Sequence, residues 1–134
     1  MLVRYGVGLI SLVYVTLGIV GFLPIDAINP LHPEGVGAHY LLHQVAINPF
    51  HNVFHLAIGL TGLLSLQSLR WARLWGRITG AILLILFIAG MGQALLEGFP
   101  VDQLLLNLVV LNSAGHILHL TTGALALYLG TAAP

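Results

Sequence analysis

One unusual stretch of this chain occurs twice, and that repetition restricts the fold more than any other feature. Asn48–Leu64 reads NPFHNVFHLAIGLTGLL and Asn112–Leu127 reads NSAGHILHLTTGALAL. At a fixed offset Asn48 pairs with Asn112, His55 with His119, Leu56 with Leu120 and Gly59 with Gly123. Asn is a favoured helix N-cap, and Pro49 suits the first helical position. Each copy therefore predicts an apolar helix that opens on Asn, carries a His about two turns in, and places a Gly one turn later.

Helices this apolar need an apolar solvent. Of 134 residues 58% are hydrophobic and 6% charged, with mean hydropathy +1.00. Soluble domains carry about a quarter charged residues. Eight charged side chains cannot clothe a soluble domain of this size, whereas a lipid bilayer supplies the clothing itself. The expectation is an integral membrane protein. Cys is absent, which excludes disulfides, thiolate metal sites and cysteine nucleophiles. A net charge of zero argues against a nucleic-acid partner, which needs a basic face.

Along the chain, Tyr5–Leu23 is the first apolar run and is long enough to span a bilayer. It is too long for a signal-peptide core and ends in GFLP without a small-x-small cleavage site, so it is expected to be retained. Pro24–Ile47 opens as a loop punctuated by Pro and Gly. Its second part, Ala38–Ile47, is expected to be a short interfacial helix with His39 and His43 at i, i+4. Helix two runs from Asn48 to about Leu66. Gln67–Arg77 then gathers Arg70, Arg73 and Arg77 with Trp71 and Trp75, as an interfacial belt between helices two and three. Helix three is expected over Ile78 to about Leu96, and helix four from Asn112 to near Gly130. Residues 103–111 either extend helix four backwards or form a separate lead-in segment.

The repetition extends beyond the histidine helices. Gly21-Phe22-Leu23-Pro24-Ile25-Asp26 echoes Gly98-Phe99-Pro100-Val101-Asp102, and Gly8 and Gly18 are spaced like Gly80 and Gly90. The expectation is an all-α four-helix bundle, a single transmembrane domain over 1–134. It would be built from a tandem two-helix unit, about 1–67 and about 75–130, with short interfacial segments. An even number of spans separates the copies, which makes them parallel. All four Arg fall at the N-terminus or between helices two and three, and Asp26, Glu34, Glu97 and Asp102 fall in the other connections. The positive-inside rule then puts both termini in the cytoplasm of a bacterial inner or thylakoid-type membrane, with the His-rich ends outward.

His51 and His55 are four apart and His116 and His119 three apart, so each pair is expected on one helix face. Three readings are open. The imidazoles are packing groups hydrogen-bonded to Asn48, Asn52, Asn112, Thr121 or loop carbonyls. Alternatively His55 and His119 are axial ligands of a haem or chlorophyll, with Gly59, Gly62, Gly115 and Gly123 making room. In the third reading all four hold a transition metal. His55 and His119 are expected to share one space between helices two and four, neutral near pH 7, with His51 and His116 as their second shell. No carboxylate lies on those helices, and phosphate-loop, G-x-S-x-G and HExxH signatures are missing.

The motif Asn52-x-x-His55-Leu56-x-x-Gly59, with His119-Leu120-x-x-Gly123, resembles the bacterial four-helix membrane proteins grouped as domain of unknown function 4383. His116 stands at the counterpart of Asn52, so the Asn is not repeated. The resemblance implies a fold and a membrane address without an activity. The chain is thus expected to be a non-enzymatic scaffold or accessory subunit without a cofactor. Its partners would be the lipid bilayer and a larger membrane complex or further copies of itself. A protein that ligates haem, chlorophyll or a metal through its histidines is the alternative.

Overall fold

A computed structural model of the chain describes residues 1–23, 37–41, 44–98, 103–105 and 108–132. Among these the order is α1 (Leu2–Val20), β1 (His39–Leu41), β2 (Val45–Ile47), α2 (Pro49–Ser65), α3 (Leu69–Glu97), β3 (Gln103–Leu105), β4 (Val109–Leu111) and α4 (Ser113–Thr131). The four expected helices are present. The loop segment 24–36, with His32, Asp26 and Glu34, lies outside the described residues. So do His43 and the exit residues 99–102.

The caps explain where the histidine helices begin. Asn48 and Asn112 are both extended, and their side chains accept from the backbone N–H of His51 and of Gly115. These bonds stand in for acceptors that a helix's first turn lacks. The start of α3 corrects the sequence reading. Ser68 caps it by accepting from Trp71 N–H at 3.2 Å, so Leu69–Arg77 is helix rather than connection. Leu, Arg, Trp and Ala offer no break there. Trp71 stays exposed, but Trp75 turns inward, donating from its indole to Thr61 Oγ1 at 3.2 Å. At its far end α3 stops at Gly98, whose φ of +103° suits glycine.

The expected interfacial helix Ala38–Ile47 is instead a β-hairpin. β1 and β2 pair antiparallel, with His39 opposite Ile47 and Leu41 opposite Val45. β3 and β4 pair as a second hairpin in matching register, Gln103 opposite Leu111 and Leu105 opposite Val109. They are a separate segment, not a backward extension of α4. Val45, Ile47, Val109 and Val110 are β-branched and favour the extended backbone that leads into both Asn caps. Hairpins this short are marginal alone. Here β2 packs on β4, and Ala46, Ile47, Val110 and Leu111 are completely buried.

Helix α1 presents Val3, Val7, Ile10 and Tyr14, spaced four, three and four apart, to a core completed by Ile58, Trp75, Leu83, Ala126 and Leu129. The most extensive backbone contacts join α1 to α2 and α3 to α4. Small residues make both approaches possible. A methyl on Gly59 would sit 2.6 Å from Val15 N and 2.7 Å from Ser11 O. One on Gly80 would sit 2.5 Å from Leu127 N, and one on Gly76 2.7 Å from Ala126 O. Two of the helical stretches, Leu2–Val20 and Leu69–Leu96, are long and apolar enough to cross a membrane.

Gly59 and Gly123 occupy equivalent places in the motif, yet their surroundings differ. A methyl on Gly59 would lie within 2.7 Å of backbone, whereas one on Gly123 would meet Leu83 Cβ, Leu84 Cγ and Gly80 O at 3.0, 3.2 and 3.3 Å, a looser approach. Overpacking costs about 1–3 kcal/mol. Gly59→Leu is expected at or above the top of that range and Gly123→Leu near its bottom, measured by unfolding in detergent. Equal losses would contradict this difference in packing.

Candidate functional site

The hairpin end of the molecule is held by a crossed pair of hydrogen bonds. Asn48 Nδ2 donates to Leu108 O and Asn112 Nδ2 to Gln44 O, each at 2.7 Å. Leu108 is to Gln44 what Asn112 is to Asn48, at the same sequence offset. Each Asn therefore caps its own helix with its oxygen and holds the other half's hairpin with its nitrogen. Gln44 and Leu108 close the hairpin tips by donating to Leu41 O and Leu105 O.

Beneath this crossing lie His51, His55 and His119, each with 0% exposure. The ring centroids of His51 and His55 are 4.2 Å apart, those of His51 and His119 5.7 Å, and those of His55 and His119 6.3 Å. One nitrogen from each can be chosen so that all three lie within 4.8 Å of one another. The duplicated pair thus shares one space between α2 and α4, and His51 joins it directly rather than standing behind it. Among the described residues, neither nitrogen of any of the three rings completes a well-formed hydrogen bond, to the Asn48, Asn52, Asn112 or Thr121 side chains or to other groups, and only His51 has backbone, of Ala46 and Val110, close beside it.

His116 is placed elsewhere. Its ring packs on α3, against Gly90 and edge-on to Phe87 at 6.3 Å. The reason is its register. It is the counterpart of Asn52, which packs on α1 against Gly18 and Gly21 and donates to Gly21 O at 2.8 Å. The counterpart of His51 is Gly115. Three imidazoles converge, and the i, i+3 spacing of His116 and His119 misleads because it ignores that alignment. His39, expected on a helix face, stands on β1 within 3.2 Å of Gly21 O and 3.0 Å of Gly37 O.

Sequence reasoning missed Tyr14. It is fully buried on α1, edge-on to His55 at 5.1 Å, with its hydroxyl 2.8 Å from Thr122 Oγ1 on α4. Thr122 gives its own proton to Leu118 O at 2.6 Å, so Tyr14 is the donor in the pair. A phenol closing the apolar stripe of α1 was the available signal. Arg77 was read only as a membrane anchor. Its Nε also donates to Gly130 O at 2.7 Å, satisfying a carbonyl near the end of α4.

The Tyr14–Thr122 bond joins the two halves beside the cluster. Tyr14→Phe and Thr122→Val should each cost about 0.5–1.5 kcal/mol, and the double variant little more than either. Fully additive losses in chemical unfolding would show that the bond is not formed. For the crossed caps, Asn48→Ala and Asn112→Ala should each cost about 1–2 kcal/mol, since each removes a cap and a bond to the opposite hairpin.

The chain matches no curated protein and no solved structure. Residues 4–132 match the family model described as Domain of unknown function (DUF4383). With nearly its whole length matched, the chain belongs to that family.

Proposed function

We propose that this chain is a four-span integral membrane protein, built by tandem duplication of a two-helix unit into a bundle, that serves as a non-enzymatic scaffold or accessory subunit. The observation that carries the reading is the distribution of polarity. Large apolar side chains face outward on every helix, among them Leu9 on α1, Val53 and Leu64 on α2, Ile85 and Ile88 on α3, and Ile117 on α4. Ser11, Asn52, His51, His55 and His119 face inward and are fully buried. That arrangement suits lipid on all sides. At about 1.5 Å per residue, the 17 residues of α2 and 19 of α4 reach most of the way across a hydrocarbon core of about 30 Å.

Duplication is supported by the matching order of helix, hairpin and helix in each half and by the matching registers of the hairpins. An accessory role is supported by the sealing of the histidines, which suits holding a group in place better than turning over a substrate. The alternative, a His-ligated cofactor, is favoured by the convergence of the three imidazoles.

Topology tests the core of this reading. Arg4, Arg70, Arg73 and Arg77 gather at the end of the molecule opposite the hairpins, so that end is assigned to the cytoplasm. Reporter fusions at Gln67 and Pro134 should report cytoplasm, and one at Glu34 the opposite compartment. A cytoplasmic signal at Glu34 would remove the four-span arrangement.

A further inference from the structure

We propose that His51, His55 and His119 form a buried site for one transition-metal ion, held by three imidazole nitrogens. Energetics supply the first reason. A neutral imidazole has one donor and one acceptor nitrogen. Among the described residues, none of the six ring nitrogens, all buried, completes a well-formed hydrogen bond, and only His51 has backbone groups, of Ala46 and Val110, near enough to act on it. Each buried nitrogen without a well-formed partner forfeits the hydrogen bond it would make in water. Together such losses weigh heavily against the small net stability of a folded chain. A bound cation engages one nitrogen of each ring and removes half of that deficit.

Geometry supplies the second. Metal–imidazole bonds of about 2.0–2.1 Å at tetrahedral angles put ligand nitrogens about 3.3 Å apart and ring centroids about 5 Å apart. The centroids here stand 4.2, 5.7 and 6.3 Å apart, values that bracket that separation. Small rotations about χ1 and χ2 bring nitrogens already within 4.8 Å onto one ion. A tetrapyrrole does not fit. His51 stands within 5.7 Å of both His55 and His119, beside the midpoint between them, where a macrocycle would lie.

The donor set fixes the class of ion. Three imidazoles without carboxylate suit late first-row ions and exclude Ca²⁺ and Mg²⁺, which require oxygen ligands. The three rings are neutral donors and leave the ion's charge uncompensated, which in a buried site ranks monovalent Cu(I) ahead of Zn(II). The backbone of Ala46 and Val110 beside His51 and the Tyr14 ring on His55 would set ring orientation.

The inference rests on the histidine cluster being the functional centre and is independent of membrane topology, so the reporter fusions and the metal test can fail separately. The full chain, purified in detergent and stripped with chelator, is titrated with Zn(II) and, under reductant, with Cu(I). About one equivalent of either is expected, with His51→Phe, His55→Phe and His119→Phe each lowering affinity at least about tenfold. His116→Asn, which restores the residue at the equivalent position of the first half, should bind like wild type. X-ray absorption on the loaded wild-type chain, which needs no variant to fold, should show three imidazole nitrogens at about 2.0 Å. Less than about a tenth of an equivalent of both ions, unchanged affinity in all three Phe variants, or two or fewer imidazoles in the absorption spectrum would overturn the proposal.

Discussion

The crossed bonds from Asn48 and Asn112 are the constraint on which the remaining architecture depends. An Asn side chain has one good acceptor and one good donor, and here they serve different halves of the molecule. The acceptor starts a helix, while the donor pins the opposite hairpin. Because β2 and β4 then meet with Ala46, Ile47, Val110 and Leu111 fully buried, the hairpins become a lid over the ends of α2 and α4. His51 lies within the first turn after its cap and His55 one turn further, so the position of the cluster follows from the position of the caps.

Packing beneath that lid relies on close approach. In the bilayer proposed above, apolar helices would gain little hydrophobic free energy on association, so contact area and internal polar bonds would hold them. Gly59 against Ser11 and Val15, and Gly76 and Gly80 against α4, bring backbones together within each half. Between halves an apolar core joins α1 to Leu83, Ala126 and Leu129, and polar or aromatic contacts are added to it: Tyr14 to Thr122, Trp75 to Thr61, and the three imidazoles. The closest backbone approaches fall within each half, and the space between α2 and α4 holds side chains as large as imidazole.

Much of this was legible in the sequence, and the failures have specific causes. Asn48 and Asn112 as caps, the four helices, and the meeting of His55 with His119 follow from local chemistry and from the repeated spacing. The hairpins were hidden because an apolar ten-residue stretch satisfies a short helix and a short strand pair equally, and only docking of β2 on β4 decides between them. His116 was misassigned by helical spacing alone, although its alignment with Asn52 already pointed it toward α3. Tyr14 closes the apolar stripe of α1 and so reads as one more core position, with nothing in that stripe to say what its hydroxyl meets. Its role appears only when Thr122, 108 residues away, is brought beside it.

The crossed bonds also have a consequence for the order in which the molecule is assembled. Their partners are separated by 60 and 68 residues, so neither forms until the second hairpin and the start of α4 have been made. A half-made chain, with α1, the first hairpin and α2 in place, carries His51 and His55 without the β4 and α4 contacts that complete their burial. Those contacts come last, because loop closure over such distances must precede the contacts that reward it.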